Sequence, residues 1–213
     1  MLSIIIGSIP LLVALFVSAI YYKRPEPGRL WLFTWFLLFT FLVQTGSYLY
    51  CVVRPGHSNH FIFNSYTIVM FIFYAYIYYE VLTRPLFKKL VACGSLFFFV
   101  FCFYHIIFIN HFFKYSPISY DVGGFLVLCY CFLYMTELLR ADEFINFFKT
   151  PMFWISTGIM ISIGGNFLYI SFFNYILDNK MDSQGHIYNL ISTVLSIIEY
   201  SLFAIGFYVK KNG

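Results

Sequence analysis

Glu199 is the residue with the strongest claim to chemistry. It sits in the middle of an apolar run from Ile187 to Val209 that contains no lysine or arginine. On insertion scales a carboxyl at that depth in lipid costs roughly 3 kcal/mol. None of the chain's apolar runs carries a cation to pair with it. The acid is therefore expected to be protonated, or hydrogen-bonded to Gln44, Asn166 or a tyrosine, and to act either as a ligand or proton relay or as a satisfied structural group. Its neighbours follow the three-and-four spacing of one helix face. Asn189, Ser192, Ser196, Glu199, Phe203 and Gly206 make one stripe, and Thr40, Gln44, Ser47 and Cys51 a second. Asn64, Thr67, Phe71, Tyr74 and Tyr78 form a third, and Gly123, Val127, Tyr130, Tyr134 and Glu137 a fourth. Gly158, Ser162 and Gly165 make a small-residue face with Asn166 beside it.

Two uses of these stripes are compatible. Small and weakly polar faces let membrane helices approach closely. The same faces could instead line a polar cavity, with one half of the bundle packed and the other open. The candidate ligand or relay set is Glu199, Gln44, Asn166, Tyr74, Tyr130, Tyr134 and Ser196. A second polar set, His105, Asp121, Asn64 and Asn189, is expected near the outer ends of its helices.

Other chemistries find less support. His57, His60, His111 and His186 fall in loops on one side, but they lack ligand spacing, so no metal site is expected. Cys51, Cys93, Cys102, Cys129 and Cys131 all lie in apolar runs without a C-x-x-C pair and read as packing residues. Glu80 and Glu137 stand near basic loops and read as interfacial ion-pair partners. No H-E-x-x-H, G-x-S-x-G or Walker loop occurs, so the chain is not expected to be an enzyme. Retinal needs a lysine in the last helix, which here holds Glu199 instead, and no cofactor is expected.

The elements that must position these residues are membrane helices. Of 213 residues, 61% are hydrophobic, 24% aromatic and only 10% charged. A soluble domain needs about 25% charged residues, so the expected solvent is a lipid bilayer. No basic run suggests nucleic acid. Seven apolar runs of about 20 residues predict an all-α, polytopic bundle, one transmembrane domain over residues 1–213, with helices near 2–22, 30–53, 61–82, 90–109, 119–139, 152–173 and 187–209. The first run lacks a basic start and reads as a retained helix rather than a signal peptide. With so little chain beyond the runs, a soluble catalytic domain is expected on a separate protein. Pro25, Pro27, Gly28, Pro55, Gly56 and Pro85 read as helix stops, Pro117 as lying just before the fifth run, and Pro151 as a helix start. The segment 142–149 reads as an interfacial helix or a plain loop.

Loop charge sets the orientation. Lys23, Arg24, Arg29, Arg84, Lys88, Lys89, Arg140, Lys149, Lys210 and Lys211 fall on one side, which is ten of the thirteen Lys and Arg, against Arg54, Lys114 and Lys180 on the other. The positive-inside rule then predicts an outside N-terminus and a cytoplasmic C-terminus in a cytoplasmic (inner) membrane.

The run from Pro151 to Gly158, the continuation from Gly164 to Tyr169, and the closing helix from Ile187 to Val209 resemble the multi-helix membrane modules of bacterial sensor histidine kinases and their stand-alone small membrane-protein relatives. The resemblance covers the last third of the chain. It implies a signalling module and carries over no functional residues. With the topology, it leads to the expectation of a stand-alone sensing module that binds a ligand, lipid or partner in the bundle and relays to a separate protein, with oligomerisation left open. A small channel or transporter is the alternative, and a structural subunit of a membrane complex the third reading.

Overall fold

Proline, which lacks a backbone N–H, opens three of the helices. Pro85, Pro117 and Pro151 each stand at the first helical position, where a missing N–H costs nothing and the fixed φ already suits the helix. The computed structural model describes residues 2–21, 30–55, 57–105, 108, 116–140, 146–172, 175–176, 179, 181–182 and 185–212, with the backbone alone at 2–7, 21 and 210–212. Among these, seven long helices follow one another: α1 (Leu2–Tyr21), α2 (Leu32–Val53), α3 (His60–Val81), α4 (Pro85–Tyr104), α5 (Pro117–Leu139), α6 (Pro151–Ser171) and α7 (His186–Asn212), with no strand among the described residues. A single 3-10 turn, Phe147–Lys149, precedes α6. Within the segment 142–149, residues 142–145 lie outside the described set. So do Lys23, Arg24, Arg29, Lys114, Lys180, His111, Gly56 and the proline–glycine stop after α1.

Six helices, from α2 to α7, are long and apolar enough to cross a membrane. In α1 the described apolar stretch is the shorter Ser8–Ile20. Outward faces carry large apolar side chains, among them Phe16, Phe97, Phe103, Phe125, Phe132 and Leu168, each more than half exposed. Such a surface is untenable in water and ordinary against lipid tails. The chain is a multi-pass helical membrane protein.

One expected boundary moves. α4 starts at Pro85, not near residue 90, so Pro85 begins a helix instead of stopping α3, and Lys88 and Lys89 stand within the first two turns of α4 rather than in a loop. Their charge does not forbid this, because the long stems reach sideways: Lys88 Nζ lies 5.3 Å from the centre of the Tyr79 ring. The turn between α3 and α4 is pinned from α5. Glu137 accepts hydrogen bonds from the Thr83 backbone N–H at 2.7 Å, from the Thr83 hydroxyl and from the Arg84 backbone N–H at 3.5 Å. The expected ion-pair role of Glu137 is thus replaced by capping, because these donors at the start of α4 have no intrahelical acceptors.

Two seams fix α7. It packs most extensively on α6 and α1. On the α6 side the approach depends on glycine. A methyl at Gly158 would lie 3.1 Å from the Glu199 carbonyl oxygen, one at Gly165 2.7 Å from the Leu195 methyls, and one at Gly206 2.9 Å from the Pro151 carbonyl oxygen. The half of the bundle where α3 and α5 end and α6 begins is solid. Phe33 meets Phe73, Phe203 and Phe207 edge-on at centroid distances of 5.1, 5.7 and 6.1 Å, and Phe36 stacks on Phe73 at 4.1 Å. Beside this layer the buried Tyr78 hydroxyl donates to Ser156 Oγ at 2.9 Å and lies 3.0 Å from Cys131 Sγ, tying α3 to α5 and α6.

The seam yields a signed prediction. Gly206→Ala forces a methyl against backbone and should destabilise the protein by about 1–3 kcal/mol. At Gly164 and Gly46 an added methyl meets nothing within 4 Å, so alanine there should be neutral or stabilising by about 0.5–1 kcal/mol. Thermal unfolding of the three variants in one detergent tests the contrast; equal loss in all three would refute the seam.

Candidate ligand-binding cavity

A polar group inside a bilayer has to find its partner in the protein, and the polar stripes do turn inward. In the half of the bundle opposite the aromatic layer they do not close on one another. They bound a cavity of about 410 Å³ lined from α2 (Gln44), α3 (Tyr66, Thr67, Tyr74), α5 (Tyr120), α6 (Ser162, Asn166) and α7 (Ser192, Ser196, Glu199, Tyr200). A groove of about 370 Å³ between α2 and α7 shares Gln44, Asn59, Phe63, Ser192 and Ser196 with it and adds Asn189 and Thr193. Cavities of about 300–1,000 Å³ are the usual size for small-ligand sites.

Glu199 lies at the deep end, 8% exposed. The Tyr74 hydroxyl donates to its Oε1 at 3.1 Å. Ser162 lies beside the same carboxyl, one turn before Asn166. Asn166 donates to the Ser162 carbonyl at 3.1 Å and accepts from the Ser192 hydroxyl at 3.2 Å. Beneath Glu199, Tyr74 meets Phe36 at 5.5 Å and Tyr200 meets Phe203 at 6.0 Å, so the cavity floor is the top of the aromatic layer. Gly158, against the Glu199 backbone, holds the acid at this depth.

Comparison with family models, with curated proteins and with solved structures finds no match. The cavity therefore has to be read from its own residues.

Of the seven residues expected in the ligand or relay set, Glu199, Gln44, Asn166, Tyr74 and Ser196 meet in this cavity. Tyr130 and Tyr134 stand apart from it. Tyr130 donates to the Val91 carbonyl at 3.4 Å, and both rings pack around Tyr78 at 6.3–6.4 Å. The stripe they belong to faces α3 and α4, away from the cavity. The second polar set divides as well. Asn189 is at the groove. Asn64 accepts from the Ser116 N–H at 3.3 Å, and His105 Nδ1 lies 3.1 Å from the Ser116 hydroxyl, in a buried knot joining α3, α4 and the start of α5. Asp121 accepts from Ser171 at 3.2 Å and links α5 to α6.

Tyr66, Tyr188 and Tyr200 also line the cavity and were not singled out by spacing. Neither was Asp182, which is hydrogen-bonded to the backbone of the lining residue Tyr188. This side chain, 6% exposed, accepts from the backbone N–H of Ile187 at 3.2 Å and of Tyr188 at 2.9 Å, and from the Tyr169 hydroxyl at 2.8 Å. It thereby caps α7, after a turn at Gly185 with φ of 68°. An acid shortly before a glycine and a helix start was the available signal.

Burial alone would raise the Asp182 carboxyl, but donation from the Tyr188 N–H, the Tyr169 hydroxyl and the Ile187 and His186 N–H groups outweighs it and holds the group below the ordinary carboxylate value. The folded state then binds fewer protons than the unfolded chain as that range is crossed. This contribution is full above the unfolded value and is lost as the pH falls below about 4 towards the lowered one. The protection of the Ile187 and Tyr188 amides, as exchange relative to the intrinsic rate at each pH, should fall on acidification below that point in the wild type, whereas Asp182→Ala should show low protection at every pH. An acid-independent wild type would contradict the cap.

Proposed function

We propose that the protein is a sensing module of a cytoplasmic membrane, with seven spans, an outside N-terminus and a cytoplasmic C-terminus. A small ligand enters the cavity from the outer side and contacts Glu199, and α7 transmits its presence to a separate protein at the basic, inner end. The observation that carries the reading is a polar cavity open at one end and stopped at mid-depth by Phe36, Phe73 and Phe203 beneath a buried carboxyl. A blind cavity suits binding followed by a helix shift. A channel or transporter would need a continuous or alternating path, and among the described residues no broken helix supports one. The orientation rests on the ten-to-three split of basic residues.

Two measurements test this. Reconstituted in liposomes, the protein should carry no sodium, potassium or proton flux above that of empty vesicles. A flux that Glu199→Gln abolishes would replace sensing by conduction. A fluorescent reporter fused after Gly213 should light up in the cytoplasm, while a periplasm-dependent enzyme at the same site stays silent; the reverse pattern would invert the topology.

A further inference from the structure

We infer that the ligand taken by this cavity is an organic ammonium ion, held by the Glu199 carboxylate among the rings of Tyr66, Tyr74, Tyr120, Tyr188 and Tyr200. The inference rests on the reading of the cavity as a ligand site. All five tyrosines line the same space as Glu199. Tyr66, Tyr74 and Tyr200 are close enough to Glu199 to interact with it electrostatically. Tyr74 donates its hydroxyl proton to the carboxyl, the arrangement that suits an ionised acceptor.

Charge selects the class. No lysine or arginine is among the described residues lining the cavity, and His60 at the rim is the one described lining residue able to carry positive charge. A buried carboxylate without a counter-ion is costly, and a bound cation offsets that cost. An anionic ligand would meet Glu199 with no cation to hold it. Size and lining then favour an organic cation over calcium. Calcium takes six to eight oxygens at close range, whereas this cavity of about 410 Å³ offers one carboxyl set among rings, amides and hydroxyls. Aromatic faces attract an ammonium through the ring quadrupole and also accommodate its alkyl substituents, the principle of aromatic cages.

The full chain in nanodiscs is titrated calorimetrically with tetramethylammonium, choline and benzyltrimethylammonium chlorides, and with 3,3-dimethylbutan-1-ol, the uncharged isostere of choline, at matched ionic strength. At least one ammonium should bind saturably and raise Tm, with the isostere at least about tenfold weaker. Glu199→Gln should weaken ammonium binding about tenfold or more. If Glu199→Gln does not fold, Tyr66→Leu takes its place and should weaken the ammonium more than the isostere. Saturable binding of the isostere equal to that of choline would overturn the cation assignment while leaving ligand binding intact. Absence of saturable binding by every ammonium, or unchanged ammonium affinity in Glu199→Gln, would also overturn it. The liposome flux measurement judges the sensing reading separately.

Discussion

A carboxyl at the middle of an apolar helix cannot be left to lipid, and this condition organises the half of the bundle around it. Glu199 needs a donor, which Tyr74 on α3 supplies. It needs a helix backbone close by, and Gly158 on α6 permits that approach. It needs an apolar support below, which the stacked rings of Phe36 and Phe73 and the edge of Phe203 provide. These requirements are met from α2, α3 and α6 as well as from α7 itself, so the surroundings of one acid tie those four helices together. The principle is the general one that polar atoms in a bilayer are satisfied internally.

The two halves of the bundle answer that principle differently. Where Phe33 meets Phe73, Phe203 and Phe207, the inner faces are aromatic and close on one another without polar groups to satisfy. In the other half the same faces carry Gln44, Asn166, Ser192 and Ser196, side chains too short or too polar to fill the space between helices. Part of their demand is met pairwise, as between Ser192 and Asn166. Volume is left over, and it lies on the polar side of Glu199 rather than on the aromatic side. The cavity is thus a consequence of side-chain size along the stripes, with no kink or broken helix required.

Much of this was legible in the sequence, because helical period and lipid exposure act on every turn. The inward stripe of α7, the small face of α6 and the participation of α2, α3, α6 and α7 in the cavity all follow from three-and-four spacing, whereas α5 enters through Tyr120, outside its named stripe. What escaped has physical reasons. A cavity wall is wider than one stripe, so Tyr200, adjacent to Glu199, and Tyr66, two positions from Asn64, reach it from outside the predicted line. Tyr130 and Tyr134 obey the period, but a period does not say which neighbouring helix a face meets, and theirs packs on α3 and α4 around Tyr78 and Val91, away from the cavity. Pro85 was read as a stop although proline suits a first turn equally well. Asp182 acts from a turn, where no period exists to reveal it.

The position of the acid on α7, rather than on α3 or α6, bears on how occupancy could be transmitted. Above Glu199, α7 contributes Ser192 and Ser196 to the cavity wall and is capped at its start by Asp182. Below it, the same helix inserts Phe203 and Phe207 against Phe33 and seats Gly206 on the Pro151 carbonyl. A ligand that pulls on the carboxylate therefore acts on a rigid rod whose far end is packed on a backbone atom at close range. Close-packed interiors pass displacement on rather than absorb it, and a seam of glycines has no long side chains to take up slack. A small movement at the cavity floor would reach the first turn of α6 with little loss. In the proposed reading that turn, beside the Phe147–Lys149 segment at the basic end, is where a partner would detect it.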